Sequence, residues 1–169
     1  MASDWQLRQT VKKDLTTWQN PYDNPFQFRT FNEMSEGEVL AVLNEIDDEF
    51  DFGAFAKSDL IEFDRRICQV VYLNKELAGV VCAARYRNRP EEGTIAYFAT
   101  SALFRGRGLA KLIHAHGLDL LVSRNVKLYV DTVEPTHTTL IRVFIRNGCH
   151  LTHSVESVGL EVSPEVSHA

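Results

Sequence analysis

Residues 94–113 read TIAYFATSALFRGRGLAKLI: β-branched and aromatic residues first, then two arginines and two glycines in four positions, then apolar residues at helical spacing. This is a strand, a loop and the start of a helix. The first turn of a helix presents backbone N–H groups with no intrahelical partner, at the positive end of the helix dipole. Gly106 and Gly108 allow close approach and unusual dihedrals, and Arg105 and Arg107 can add charge-assisted hydrogen bonds. Such a turn suits a diphosphate, although composition alone fits a cationic glycine turn equally well. Two nucleotide motifs do not fit. A Walker loop requires lysine and then serine or threonine after its last glycine, and here Leu109 and Ala110 follow Gly108. The dinucleotide fingerprint requires a glycine where Lys111 stands.

Outward from this stretch, Leu109, Leu112, Ile113, His116 and Leu120 repeat at three and four residues, so a helix should run to about residue 124. His116 lies on its apolar face and is expected in the core. VKLYVDTVEP (126–135) reads as a strand and CHLTHSVESVGLEV (149–162) as a return to strand. Between them, THTTLIRVFIRNG (136–148) is ambiguous: β-branched residues favour a strand, whereas Thr136 and Asn147-Gly148 are placed as helix caps. Upstream, CQVVYLN (68–74) and ELAGVVCAARYR (76–87) form a hairpin about Asn74 and Lys75, and NRPEEG (88–93) is a loop. Ser35 and Glu38 form a capping box for a helix through residue 46, and KSDLIEFDRR (57–66) is expected as a second helix after a break at Gly53. QFRTF (27–31) is a short strand. Trp5, Val11, Leu15 and Trp18 can share one helical face, so residues 1–25 are expected as an N-terminal helical extension and linker ahead of a domain over 26–169. The fold class is α/β, a mixed central sheet covered by helices.

The chain has 169 residues, 44% hydrophobic and 24% charged, which suits one globular domain. No apolar run approaches the roughly 20 residues of a membrane span, and the N-terminus lacks a secretory signal, so a cytoplasmic protein without a membrane partner is expected. Cys68, Cys82 and Cys149 follow no metal spacing and are read as buried reduced thiols, with no metal expected. A net charge of −5 without a basic stripe disfavours nucleic acid. Glu45, Asp47, Asp48, Glu49 and Asp51 cluster either as a solvated helix end or as a wall that attracts a cation.

Arg105-Gly106-Arg107-Gly108-Leu109-Ala110 resembles the [QR]-x-x-G-x-[GA] pyrophosphate loop of the GNAT superfamily of N-acyltransferases, and the order of elements over about residues 68–150 is similar to that family's. The resemblance implies a GNAT-type fold, acetyl-CoA or another acyl-CoA as donor, and direct attack on the thioester by an amine, small-molecule or peptide; a monomer or homodimer is expected. It implies that the strand backbone at Phe98, Ala99 and Thr100 orients the pantetheine arm, and that amides from Arg105 through Gly106, Arg107, Gly108 and Leu109 to Ala110 hold the diphosphate. Where the family often has an asparagine and, seven residues later, a tyrosine acid, this chain has His137 and Phe144. Phe144 cannot donate a proton. His137 is a cofactor contact, a proton donor or a solvated helix end. An alkylamine near pKa 10.4 is almost wholly protonated at neutral pH, so a base is useful. Asp131 and Glu134 are the candidates, with a structural hydrogen-bonding role the alternative for Asp131. Tyr97 and Tyr129 are weaker candidates. The resemblance also implies that the first two helices and their connection border the acceptor cleft, which would make Glu49 and Asp51 candidates for attracting a cationic amine. The competing reading is an acyl-CoA-binding module without turnover, and a longer acyl chain or an acyl carrier protein donor is a further alternative.

Overall fold

The computed structural model describes residues 5–47 and 49–157. Its elements are β1 (Trp5–Asp14), β2 (Gln27–Thr30), α1 (Glu36–Ile46), α2 (Phe52–Lys57), β3 (Ile61–Glu62), β4 (Cys68–Leu73), β5 (Glu76–Tyr86), β6 (Arg89–Thr100), α3 (Ala110–Ser123), β7 (Leu128–Val133), α4 (Thr138–Arg146) and β8 (His150–Ser157). One mixed sheet runs β2-β4-β5-β6-β7-β1-β8, with β3 added beside β5. One apolar cluster lies under α1 and α2 and includes Val39, Leu43, Phe52, Val80, Cys82 and Tyr97. The other lies under α3 and α4 and includes Val81, Phe98, Ile113, Leu118, Tyr129 and Phe144. No helix of the described residues is long and apolar enough to cross a membrane.

The capping box of α1 is present: Ser35 Oγ accepts the Glu38 N–H and the Glu38 side chain accepts the Ser35 N–H. The β4–β5 turn places Asn74 and Lys75 at positive φ, the pair of dihedrals that a tight hairpin requires. The ambiguous segment is helical: α4 ends with Gly148 at φ 77°.

Three expectations are corrected. Residues 5–14 form a strand, not a helix, and this strand lies inside the sheet between β7 and β8. Alternation puts Val11 in the core on one face, while Thr10 and Lys12 on the other are polar and not buried, so one apolar side chain suffices where helical spacing looked for several. The expected location of Asp48 and of the Trp5 side chain, and the strand beyond residue 157, lie outside the described residues. The second helix is Phe52–Lys57 rather than 57–66, because Asp51 caps it through the Ala54 N–H at 2.9 Å and Gly53 sits within its first turn. The 88–93 loop is instead the first half of β6, joined to β5 by a turn at residues 87–88.

Candidate active site

The site begins where two strands separate. β6 and β7 are parallel and paired only at Glu92↔Leu128 and Gly93↔Tyr129. Beyond Gly93 they diverge and leave a V-shaped gap. In β6 the register against β5 slips by one residue between Cys82↔Tyr97 and Ala83↔Ile95, a bulge at Ala96. After the bulge, the Ser101 N–H donates to the Ala78 carbonyl at 2.8 Å, toward β5. Alternation then commits the Ala99 backbone to β5 and turns the N–H and C=O groups of Phe98 and Thr100 into the gap. The buried Thr100 hydroxyl has no hydrogen-bond partner among the described residues.

The loop that follows is open and preorganised. Gly106 and Gly108 have φ of 79° and 75°, and a Cβ built at either meets nothing within 4 Å. Glycine is required here by dihedral, and the space above the loop is free for a ligand. No backbone acceptor among the described residues takes the N–H groups of residues 106–109, and those of Ala110 and Lys111 belong to the first turn of α3. Arg107 lies over the Phe104 ring at 5.3 Å. The Arg105 side chain turns inward: Nε donates to the Thr100 carbonyl at 3.0 Å and Nη2 to the Ile46 carbonyl at 3.4 Å. It ties the end of β6 to the end of α1. Open amides at the entry to a helix can take an anionic group.

Asp131 sits at the apex of the V, two residues past the last β6–β7 pair and 2% exposed. Its Oδ2 accepts the Tyr129 hydroxyl at 2.8 Å and its Oδ1 the Thr132 N–H at 3.0 Å. Burial holds this carboxyl well above the usual carboxylate range, against the opposing pull of those donors. Glu134 is exposed at the end of β7, and its carbonyl accepts the His137 N–H at 3.0 Å. His137 is half-buried ahead of α4 and its carbonyl accepts the Ile141 N–H. Phe144 is fully buried, edge-on to Phe98 at 6.4 Å and to His114 at 5.2 Å.

On the α1 face, the connection between α1 and α2 closes over Tyr97. Its ring stacks on Phe50 at 4.1 Å and its hydroxyl donates to Asp47 Oδ2 at 3.3 Å. Asp51 is used as the α2 cap, and the Glu49 N–H donates to Asp47 Oδ1 at 2.9 Å while its side chain is exposed. Asp47, a member of the acidic run, is joined to β6 through a contact fifty residues away that no local pattern announces.

Sequence reasoning also missed a buried polar chain. His116, expected in the core, is half-buried, stacked on Phe28 at 3.8 Å with Nε2 2.8 Å from Gln69 Oε1. His114 is the enclosed one, at 0% exposure, and burial pushes its imidazole down to about 3. It contacts Asn147 and Tyr129. Of the members of this buried chain only His114 has core residues, Ile113 and Ala115, on both sides in sequence, so the local pattern carried little signal.

Comparison with family models matches residues 17–148 to "Acetyltransferase (GNAT) family". Among solved structures, a GCN5-related N-acetyltransferase from Sphaerobacter thermophilus is similar at 16% identity and TM-score 0.65, over 87% of this chain and 49% of that one. The glucosamine N-acetyltransferase region of a fungal multi-domain β-N-acetylglucosaminidase is similar at 17% identity and TM-score 0.69, over 89% of this chain and 20% of that one. A diaminobutyrate acetyltransferase from Paenibacillus lautus, in complex with L-2,4-diaminobutyric acid and coenzyme A, is similar at 17% identity and TM-score 0.51, over 72% and 73% of the two chains. This chain thus spans about half of the Sphaerobacter protein and a fifth of the fungal one. No curated protein matches it.

Proposed function

The chain belongs to the GNAT acetyltransferase family, and on that premise we propose that it transfers an acyl group, by default acetyl, from an acyl-CoA to a primary amine by direct attack in a ternary complex. One observation carries the reading: the gap between β6 and β7 leaves the Phe98–Thr100 edge of β6 without a β7 partner, with the Thr100 carbonyl held by Arg105, and that edge leads into the open N–H groups of the 106–109 loop. The loop amides would hold the diphosphate and the β6 edge would pair with the pantetheine amides, which sets the thioester toward the apex of the V. The side chain of Arg105 contributes by holding the Thr100 carbonyl and the α1 terminus rather than by reaching the phosphates.

In the reaction the amine nitrogen adds to the thioester carbonyl, the C–S bond breaks, and the nitrogen gives up one proton as the amide forms. Asp131 is the proposed acceptor of that proton, because its raised affinity for protons makes it a stronger base than an exposed carboxylate. Glu134 is the alternative at the mouth of the gap. CoA thiolate leaves as the anion or takes its proton from water, since a thiol near pKa 8.5 is a good leaving group and Phe144 has none to give. A cationic acceptor is proposed from Asp47, Glu49 and Asp51 at the α1–α2 connection. The diamino acid bound by the Paenibacillus enzyme is an amine of that class.

The test is thiol release from acetyl-CoA against a panel of amines, with calorimetry of acetyl-CoA binding. Gly108→Glu sets a carboxylate against the diphosphate at a strained dihedral and should weaken binding by about tenfold or more. Normal binding by both Gly108→Glu and Arg105→Ala would sink the donor assignment. The burial of Phe144 favours one rival, an acyl-CoA-binding module; tight binding with no turnover on any amine would select it.

A further inference from the structure

We infer that Asn147, His114 and Tyr129 are positioning residues, a one-way hydrogen-bond chain that aims a hydroxyl donor at Asp131 and keeps its carboxylate fixed at the apex of the β6–β7 gap. The inference rests on the reading of Asp131 as proton acceptor. Its direction follows from one fixed point. Asn147 Nδ2 is 3.1 Å from the Lys111 carbonyl, which can only accept, so the amide nitrogen faces α3 and its oxygen receives the Tyr22 hydroxyl at 2.9 Å. The second Nδ2 proton points to His114 Nδ1 at 2.8 Å. That ring nitrogen is therefore a bare acceptor, and the neutral imidazole carries its proton on Nε2. Nε2 lies 3.2 Å from the Tyr129 hydroxyl oxygen, which accepts. Tyr129 has one proton left to give, and Asp131 Oδ2 is 2.8 Å away.

Every member of the chain from Asn147 to Asp131 is buried, between 0% and 3% exposed. Enclosure excludes competing water, so the direction has no solvent escape. The ring surroundings keep His114 neutral: Phe98, Phe144 and Tyr129 are packed about it at 5.1–5.3 Å. With the opposite tautomer, Nε2 would be an acceptor and Tyr129 would give its proton to the histidine, and Asp131 Oδ2 would lose its Tyr129 donor. Asn147 thus acts on Asp131 through two intermediaries and without touching it.

The other groups that face Asp131 are neutral. β5 presents the Tyr86 hydroxyl, the segment before β8 presents the Cys149 thiol, and burial raises both. β6 presents Thr94 and the Ile95 N–H, and α4 presents Phe144 beyond His114. Lys13 of β1 lies beside Cys149, where it also donates to the Gly148 carbonyl at 3.5 Å. Thr94 and the Ile95 N–H pull the carboxyl downward as well, behind the Tyr129 hydroxyl, which lies 2.8 Å from Oδ2.

The experiment reads Asp131 directly, by titrating its carboxyl carbon by NMR in the full chain, and reads kcat against pH at saturating amine. Tyr129→Phe removes the donor and should move the carboxyl titration and the acid limb of kcat upward by about one pH unit. Asn147→Asp would accept from His114 Nδ1–H, reverse the chain, and produce an upward shift of the same kind. The ¹⁵N shifts of His114 should report the Nε2–H tautomer in the wild type and the Nδ1–H tautomer in Asn147→Asp. His114→Gln, which keeps a donor at the Nε2 position, should restore near wild-type titration, whereas His114→Leu should not. An Nδ1–H tautomer in the wild type, or an Asp131 titration unmoved in both Tyr129→Phe and Asn147→Asp, overturns the inference. If Asp131→Asn leaves kcat and its limb unchanged, the underlying assignment of Asp131 as base fails instead.

Discussion

His114 must fold as the neutral ring, and that requirement makes stability depend on pH. Its imidazole titrates near 6.5 when unfolded and at about 3 when folded. Below pH 6.5 the unfolded chain takes up a proton that the native chain refuses, so stability falls with falling pH across that window. Between pH 7 and pH 5 the loss should be about 2 kcal/mol for this one residue. Asp131 acts in the opposite sense: its folded carboxyl binds a proton above the range where the unfolded one does, so acidification stabilises. The two partly cancel in the wild type. His114→Gln removes only the first, and urea denaturation at pH 7 and pH 5 should show the variant losing about 2 kcal/mol less than wild type. An equal loss in both proteins would mean that His114 is protonated in the native state. The turn dihedrals of Gly106 and Gly108 were legible in the sequence because they are set by neighbours in the chain, whereas the inward turn of Arg105 was not, since one of its partners is the Ile46 carbonyl, 59 residues away. The roles of His114, Asn147 and Asp47 were not, because their partners are 15 to 50 residues away.

At the scale of elements, the helix-to-sheet distance over β5 and β6 is set by glycines that local patterns do not explain. A Cβ on Gly117 of α3 would lie 2.7 Å from Ile95 Cδ1 and 3.0 Å from Val81 Cγ2. A Cβ on Gly79 of β5 would lie 2.3 Å from the Ala99 carbonyl oxygen. The first clash is with the ends of side chains that can shift, and alanine restores up to about 1 kcal/mol of helix propensity. Overpacking costs about 1–3 kcal/mol, so Gly117→Ala should destabilise by about 1 kcal/mol. The second clash is with backbone of the strand that lines the gap. Gly79→Ala should cost more than Gly117→Ala and also weaken acetyl-CoA binding, because the Phe98–Thr100 edge must move. Equal urea midpoints for the two variants would contradict this. α3 and β7 were readable because burial on one face writes itself into spacing, and β4 and β5, buried on both faces, because they are runs rich in β-branched and aromatic residues. The α2 segment was not, since its six residues are too few to show a period and its start is fixed by the Asp51 cap. Nor was the bulge at Ala96, which is a property of the pairing with β5 rather than of β6.

For the molecule as a whole, the open question of architecture is why β1, which precedes the segment matched by the family model, lies in the interior of the sheet. It pairs with β7 over Gln9–Asp14 and with β8 over Trp5–Lys12, antiparallel to both. Among the described strands β8 pairs with no other, so β1 is the sole link between β8 and the sheet. Val11 adds a fully buried side chain to the same cluster as Tyr129 and Val133. The sequence looked helical here because Trp5, Val11, Leu15 and Trp18 are spaced for a helix. The structure instead uses Val11 in the strand, Leu15 just beyond it, and Trp18 to bond Asp119 through Nε1 at 2.8 Å. β1 should therefore be integral to folding and not an appendage. Deleting residues 1–14 would expose the N–H and C=O groups of β7 along one edge and leave β8 without a ladder. The expected outcome is loss of the cooperative thermal transition, with hydrogen exchange accelerated first in β7 and β8 and later in β4 and β5. A synthetic peptide of residues 1–16 added in excess should restore protection in β7 and β8, since the strand supplies pairing on both sides and no covalent chemistry. A truncated chain with an unchanged thermal midpoint, or protection that the peptide does not restore, would show that the two arms of the gap hold without β1. The position of Asp131 opposite Val11 makes the same variant informative for activity: slack in β1 would let the apex carboxylate drift and lower kcat before it lowers affinity for acetyl-CoA.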